Sequence, residues 1–288
     1  MVKNSLYTRD DITRTYERVH DLLLTRYIIK TYSTNKADIR DIALQGLKLD
    51  RCKKVLELGC GYGFFIEKLK GALHDDAVII GMDMVENNRE PFLHSVASIQ
   101  YKGEFITGNA EIIREMPQRS FDLIITSYSL YFFPHLVQDI SRILTDTGIF
   151  IAITHSKNTL AEIMGFLTSC MRSMGIIKHD ETVINKLFLA FSLEEGKGQL
   201  ERYFSEVERL DYTNSMIFDE RHIDDLLYYL QKKKILIYKE VMDIMPERMG
   251  EMEQCVENKI IEYSRRNGSL MLNKNDAVFR CRNPKMNK

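Results

Sequence analysis

The stretch Val55-Leu56-Glu57-Leu58-Gly59-Cys60-Gly61-Tyr62-Gly63 constrains this chain more than any other. A short, mostly apolar run ends on three glycines spaced two apart. Glycine in such a turn adopts backbone conformations closed to other residues, and its missing Cβ lets another group approach the main chain closely. Phe65, Ile66 and Leu69 then predict a helix whose first N–H groups face the same space. A strand, a glycine turn and a helix together open a parallel α/β sheet that takes a ligand at the carboxyl ends of its strands.

The pattern repeats downstream. Ala77–Asp83 reads as the second strand, Glu104–Ile106 as the third, Phe121–Ser127 as the fourth and Gly148–Thr154 as the fifth. Pro134 falls in the first turn of a helix carrying Leu136, Val137, Ile140, Ile143 and Leu144. These strands lack strict alternation, as expected where helices cover both faces of a parallel sheet. Val207–Ile217 and Ala277–Cys281 supply a sixth and a last strand.

The expected architecture is therefore α/β, a doubly wound seven-stranded sheet. Residues 1–49 form a helical N-terminal extension, with Val19, Leu22, Leu23, Tyr27 and Ile28 on one helix. Ser33-Thr34-Asn35 caps a second, running through Ile39, Ile42 and Ala43. Residues 50–156 are the core, and 157–204 are a helical insert after strand five, with Met164, Leu167, Met171 and Met174 at helical spacing. Residues 205–288 complete the sheet, making one structural domain overall.

Forty basic residues against forty-one acidic ones leave a formal charge of −1, without the basic excess of a protein that grips nucleic acid by its phosphates. Lys232-Lys233-Lys234 reads as a solvated helix end. The five cysteines form no CxxC pair, which predicts reduced thiols in a cytoplasmic protein and no metal site. No N-terminal signal-peptide core is visible, and no apolar run is long enough to span a membrane.

Asp83 ends the second strand twenty residues after Gly63. In this topology such an acid accepts hydrogen bonds from the ribose hydroxyls of a nucleoside. Two cofactor classes use that geometry. Dinucleotide sites favour GxGxxG, whereas this turn is GxGxG with Glu57 two residues before its first glycine. A carboxylate repels a pyrophosphate and attracts the ammonium and sulfonium of S-adenosylmethionine (SAM). The sign of Glu57 points to SAM.

The same stretch resembles the first motif of class I SAM-dependent methyltransferases, and further motifs follow in order. Gly81-Met82-Asp83-Met84 resembles the ribose-binding motif, and Gly108-Asn109-Ala110-Glu111 the loop that flanks the adenine. Phe121–Tyr131 resembles the fourth-strand motif and Ile143–Gly148 the lead-in to strand five. The likeness covers about residues 50–156. More loosely, Tyr32–Asn35 and Phe191–Leu200 resemble a bacterial subgroup of methyltransferase-domain proteins of the small-molecule type. The resemblance implies a Rossmann-like sheet and a cofactor site made of Glu57, Gly59, Cys60, Gly61, Gly63, Asp83, Met84, Asn109, Ala110, Glu111 and Ser127. It also implies a small pocket sealed by the N-terminal and inserted helices.

Tyr128 and Tyr131, after strand four, are expected to line the substrate pocket. Cys60 reads as a packing residue within the turn. Methyl transfer is an in-line displacement, so a base is needed only where the acceptor must lose a proton. His155 at the end of strand five is the first candidate and His135 the second.

Ser127-Tyr128-Ser129-Leu130 replaces the Asn/Asp-Pro-Pro-Tyr signature used on amide or adenine nitrogens, and no Pro-Cys pair is present. The expected activity is methyl transfer to a small molecule. The alternatives are methylation of protein or RNA, and a SAM-binding subunit without catalysis.

Overall fold

The computed structural model describes residues 6–177 and 182–285. By internal contacts they group into two compact units interleaved along the chain. One comprises residues 37–155, 190–212 and 276–285; the other comprises 6–36, 156–177, 182–189 and 213–275. The sequence segments 1–49, 157–204 and 205–288 are each divided between the two.

The first unit holds a seven-stranded sheet. Its strands are β1 (Lys54–Leu58), β2 (Val78–Asp83), β3 (Lys102–Thr107), β4 (Phe121–Ser127), β5 (Leu144–His155), β6 (Phe204–Tyr212) and, from the end of the chain, β9 (Asp276–Pro284). They lie in the order β3-β2-β1-β4-β5-β9-β6. β1 through β5 pair in parallel, and β9 runs antiparallel to both of its neighbours. The order reverses at β1, so the carboxyl ends of β1 and β4 flank a crevice, the usual ligand position in such sheets.

The apolar runs account for this placement. Val55, Ile79, Leu123, Ile125, Ile149, Ile151 and Ile153 share one core with Ile39, Ala43, Phe65, Ile66, Phe92 and Val96. The alternate residues Leu56, Leu58, Ile124 and Phe150 are completely buried as well, so the central strands lose water on both faces. Full burial of such a side chain contributes roughly 1.5–3 kcal/mol.

Arg280 on β9 ties the helix Ile39–Leu44 to the sheet. Its guanidinium donates to the carbonyls of Ile42, Ala43 and Gln45 and pairs with Glu208. A cation there satisfies carbonyls that the end of the helix leaves open. Asp38 caps that helix, not Ser33-Thr34-Asn35 as the sequence predicts.

The second unit is mostly helical. It contains Arg9–Tyr16, Val19–Tyr32, Ala161–Ser173, Ile223–Lys232 and the long Met249–Asn267, with a two-stranded ribbon of β7 (Ser215–Asp219) and β8 (Ser269–Asn273). The single strand predicted over Val207–Ile217 is thus two strands in two sheets. The chain leaves β6 after Tyr212, and the side chain of Asn275 accepts from the Asn214 N–H. Ser33 and Thr34 bond to Asn214 and Ser215 within this unit.

Two expectations are corrected here. Cys170 and Cys255 form a disulfide between the helices Ala161–Ser173 and Met249–Asn267, so two of the five cysteines are not thiols. Cys52, Cys60 and Cys281 are free and buried. The lysine run is not a plain solvated helix end. Lys232 pairs with Asp21 at 2.9 Å, and the Lys233 ammonium sits over the Tyr16 ring. Burial, reinforced by Lys274 and opposed by Asp21, pushes the Lys233 amine down to about 8. No described helix is long and apolar enough to cross a membrane.

Candidate active site

The glycine turn closes β1. Gly59 and Gly61 both have positive φ, +68° and +50°, in the left-handed region that L side chains rarely adopt. Their surroundings differ. A Cβ at Gly59 would lie 2.5 Å from the Ser129 Cβ, because the loop after β4 crosses the turn there. Ser129 Oγ fixes that crossing by donating to the Leu58 carbonyl at 2.6 Å. A Cβ at Gly61 would meet nothing within 4 Å, so its Cα faces open space. Gly63 packs against Ser95 and Phe92.

The predicted helix after the turn is only a four-residue 3-10 segment, Ile66–Leu69. Lys70 leaves helical geometry and Gly71 follows at φ +67°. Phe65, Ile66 and Leu69 nevertheless enter the core, so their spacing reported burial and not helix length.

Asp83, at the end of β2, braces the turn. One carboxylate oxygen accepts the Gly61 N–H at 2.8 Å and the other the Val85 N–H at 2.9 Å. Burial pushes this carboxyl up, against the pull of those backbone donors. The Asn88 side chain and the Met84 N–H also donate to this carboxylate. Met84 follows, half-buried. Cys60 is buried beneath the turn, where burial and then the charges of Asp83 and Glu57 push its thiol well up. A thiol held protonated is a packing group, not a nucleophile.

Glu57 is 2% exposed, and its Oε2 has no hydrogen-bond partner. Burial raises its carboxyl well above the usual range; Asp83 adds to this and Arg40 opposes it. A buried carboxylate oxygen without a donor is costly unless a ligand supplies one.

The loop after β3 starts beside Asp83, where the Gly108 N–H donates to the Asp83 carbonyl at 2.9 Å. Asn109 caps the 3-10 segment Ala110–Glu115 through the Glu111 N–H, and Ala110 is buried beneath it. Glu111 faces Arg114 at 2.6 Å and also His135. His135, with 44% of its side chain exposed, is thereby directed to the Glu111 loop.

Ser127 ends β4 opposite Ile153, and Tyr128 follows with φ +58°. The Tyr128 ring stacks on His155 with centroids 4.5 Å apart, and Tyr131 stacks at 5.9 Å. The Tyr128 hydroxyl donates to Asp276 Oδ2 at 2.7 Å, and His155 Nδ1 lies 2.7 Å from Asp276 Oδ1. Burial, then the Asp276 charge, pushes the Tyr128 hydroxyl well above its ordinary value, so it stays a protonated donor.

Asp276 is the residue the sequence reading missed. It is 3% exposed and opens β9, one residue before the predicted start of that strand. The run Asn273-Lys274-Asn275 before it reads as a turn. Only the sheet order, with β9 inserted beside β5, brings Asp276 opposite His155. Among the described residues no group of three or more His, Cys, Asp or Glu could hold a metal.

Residues 56–152 match the family model described as a methyltransferase domain. An uncharacterised methyltransferase of Schizosaccharomyces pombe is 24% identical over 174 residues, covering 55% of this chain and 63% of that protein. This chain therefore spans somewhat less than two thirds of that curated relative. Among solved structures, a putative methyltransferase from Bacillus halodurans superposes with a TM-score of 0.53 at 13% identity, covering 85% of this chain and 99% of that one. The Haemonchus contortus phosphoethanolamine N-methyltransferase 2, bound to phosphomonomethylethanolamine and S-adenosylhomocysteine, gives 0.52 at 15% identity, covering 96% and 60%. At these identities the two structures establish the fold.

Proposed function

We propose, for a chain whose residues 56–152 form a methyltransferase domain of the class I, SAM-dependent kind, that it transfers a methyl group from SAM to a small-molecule acceptor by in-line displacement. The orphaned Glu57 Oε2 beneath the glycine turn carries this reading. A ligand ammonium there supplies the missing donor and offsets the repulsion between Glu57 and Asp83.

Bound SAM would supply a methyl group activated by its sulfonium. Gly61 leaves the backbone open to close approach, and Asp83 ends β2 beside it, where ribose hydroxyls would compete with its protein donors for the carboxylate. Asn109, Ala110 and Glu111 form the loop that starts beside Asp83, the position of an adenine flank. Tyr128 and Tyr131 present ring faces at the end of β4, where an acceptor would be aligned. His155 takes the acceptor proton where there is one; His135, committed to Glu111, does not.

Support for a small acceptor comes from the near-neutral charge and from the absence of the amide- and adenine-methylating signature after strand four. The phosphoethanolamine enzyme shows that the fold accommodates such acceptors. Incubation with SAM and a panel of small hydroxyl- and amine-bearing metabolites, followed by quantitation of S-adenosylhomocysteine, tests the proposal. Turnover that depends on one panel member is expected. Turnover only with a protein or RNA fraction would overturn the small-molecule assignment.

A further inference from the structure

We propose that a cleft in the helical unit, between the helices Ile223–Lys232 and Met249–Asn267, binds a small organic amine in its protonated form, an ammonium group carried on an apolar body. This site stands apart from the methyl-transfer reading above and does not depend on it.

The helical period builds the cleft. Asp224, Leu227, Tyr228 and Gln231 share one face of the first helix, at spacings of three and four residues. Glu253, Val256, Glu257 and Ile260 share one face of the second at the same spacings. These faces border a cleft of about 300 Å³, at the lower end of small-molecule sites. Leu230, Val256 and Ile260, all buried, give it apolar walls.

Its charge is one-sided. Asp224, Glu253 and Glu257 all line it. Lys234 faces Glu253 at 3.7 Å, and Lys232, over the Tyr228 ring, pairs with Asp21, which is not part of the wall. Among the described residues Asp224 and Glu257 have no ion pair. Glu253 and Glu257 stand one turn apart, a spacing at which like charges destabilise a helix. Among the described residues no group of His, Cys, Asp or Glu is arranged to hold a metal, so these acids await a cation of another kind.

A solvated helix face would account for the carboxylates but not for Tyr238. This tyrosine, between the short helices Lys234–Ile237 and Lys239–Ile244, lines the same cleft and is 5% exposed. Its hydroxyl makes no hydrogen bond among the described residues. Burial first, then the charges of Glu253 and Glu257, push that hydroxyl well above its ordinary value, so it stays protonated. Its oxygen therefore keeps acceptor capacity for a donor that enters the cleft.

These groups define the ligand. An ammonium brings several N–H donors and a positive charge, matching carboxylates and a phenol oxygen that have acceptors to spare. The apolar walls suit a hydrocarbon body, which a hydrated inorganic cation lacks. An anion would be repelled, and a neutral alcohol of the same length would leave the charge unanswered.

The test is calorimetric titration of the full chain with hexylamine at neutral pH, with hexan-1-ol and hexanoate as neutral and anionic counterparts. Saturable binding of hexylamine at one site per chain is expected, with the alcohol roughly tenfold weaker or more and no binding of hexanoate. Glu257→Gln should weaken hexylamine roughly tenfold or more, as loss of a charge-assisted hydrogen bond does, and Tyr238→Phe about threefold. Both substitutions are close to isosteric, and thermal melts check that each variant is folded. SAM affinity should stay within about twofold in both. Hexylamine binding should persist in Asp83→Ala. Absence of saturable hexylamine binding, equal binding of the alcohol, or full affinity in Glu257→Gln overturns the proposal. Loss of hexylamine binding in Asp83→Ala also overturns it, since the amine would then sit at the cofactor site.

Discussion

Asp276 Oδ1 and His155 Nδ1 lie 2.7 Å apart across the antiparallel pair of β5 and β9, 121 residues apart in the chain. The two histidines named from the sequence stand in different surroundings: His155 faces a buried carboxylate, and His135 an acid on the loop after β3. Replacing His155 by alanine should leave SAM affinity within about twofold and slow transfer by roughly 10²–10⁴, the range of a general base. Replacing His135 should change transfer less than about threefold. Titration calorimetry and initial rates on both variants check this, and equal rates in the two would return His155 to a packing role.

Asp83→Ala should weaken SAM binding by roughly ten- to a hundredfold, equivalent to about 1.5–3 kcal/mol for two lost hydrogen bonds. The same change removes the acceptor for the Gly61 and Val85 N–H groups. Asp83→Asn, which keeps one acceptor oxygen, should therefore recover part of the affinity. An unchanged dissociation constant in the alanine variant would contradict the ribose assignment.

Glu57 sets a pH dependence in the ligand-free protein. Its folded-state carboxyl lies well above its unfolded value because of burial first and Asp83 second. The folded state therefore binds this proton more tightly, and stability declines as pH rises from the unfolded value through the folded one. Glu57→Gln should flatten that decline and raise the melting temperature of the free protein at pH 8 by a few degrees, while weakening SAM binding at least tenfold. A variant neither more stable nor weaker in binding would contradict the role given to the orphaned oxygen. The trade between stability and binding is what a site built for a cation predicts.

The glycines of the turn should respond differently to substitution. Gly59→Ala drives a Cβ to 2.5 Å from the Ser129 Cβ and should cost more than about 2 kcal/mol, displacing the loop after β4. Gly61→Ala enters open space at positive φ and should cost about 1 kcal/mol of backbone strain. Its larger effect should be on SAM affinity. Denaturant melts and titrations of both variants separate fold from site.

Reduction of Cys170–Cys255, which closes 85 residues of chain, should lower the stability of the helical unit by about 2–5 kcal/mol. Thermal melts with and without a reductant read this directly. Cys52, buried and free, serves as a control: Cys52→Ser should leave the reductant effect intact.

The parts of the fold legible in the sequence are those where burial and period agree. β1, β2 and β4 lie within a residue of their predicted bounds because each is a mostly apolar run, β1 stopped by Gly59, β2 by Asp83 and β4 by Ser127. Glu57, Gly59, Gly61 and Asp83 converge on one turn, as their spacing suggests. Legibility fails where the decisive contact is distant. The break between β6 and β7 is made by Asn214 and Asn275, 61 residues apart, while the surrounding sequence stays strand-like. β8 shows a clean alternation, Leu270 and Leu272 buried and Met271 exposed, in a segment too short to claim beside a long helix. Asp276 had no local signal at all: its meaning comes from an antiparallel strand inserted beside β5.

The measurement that tests the central claim most directly is calorimetric titration of the intact chain with SAM, S-adenosylhomocysteine and NAD in parallel. The chain has no tryptophan, so intrinsic fluorescence reports poorly on this site. Saturable binding of both adenosyl ligands at one site per chain, lost in Asp83→Ala, with no heat from NAD, is the predicted result. Binding of NAD and of neither adenosyl ligand would contradict it and make the glycine turn a dinucleotide site.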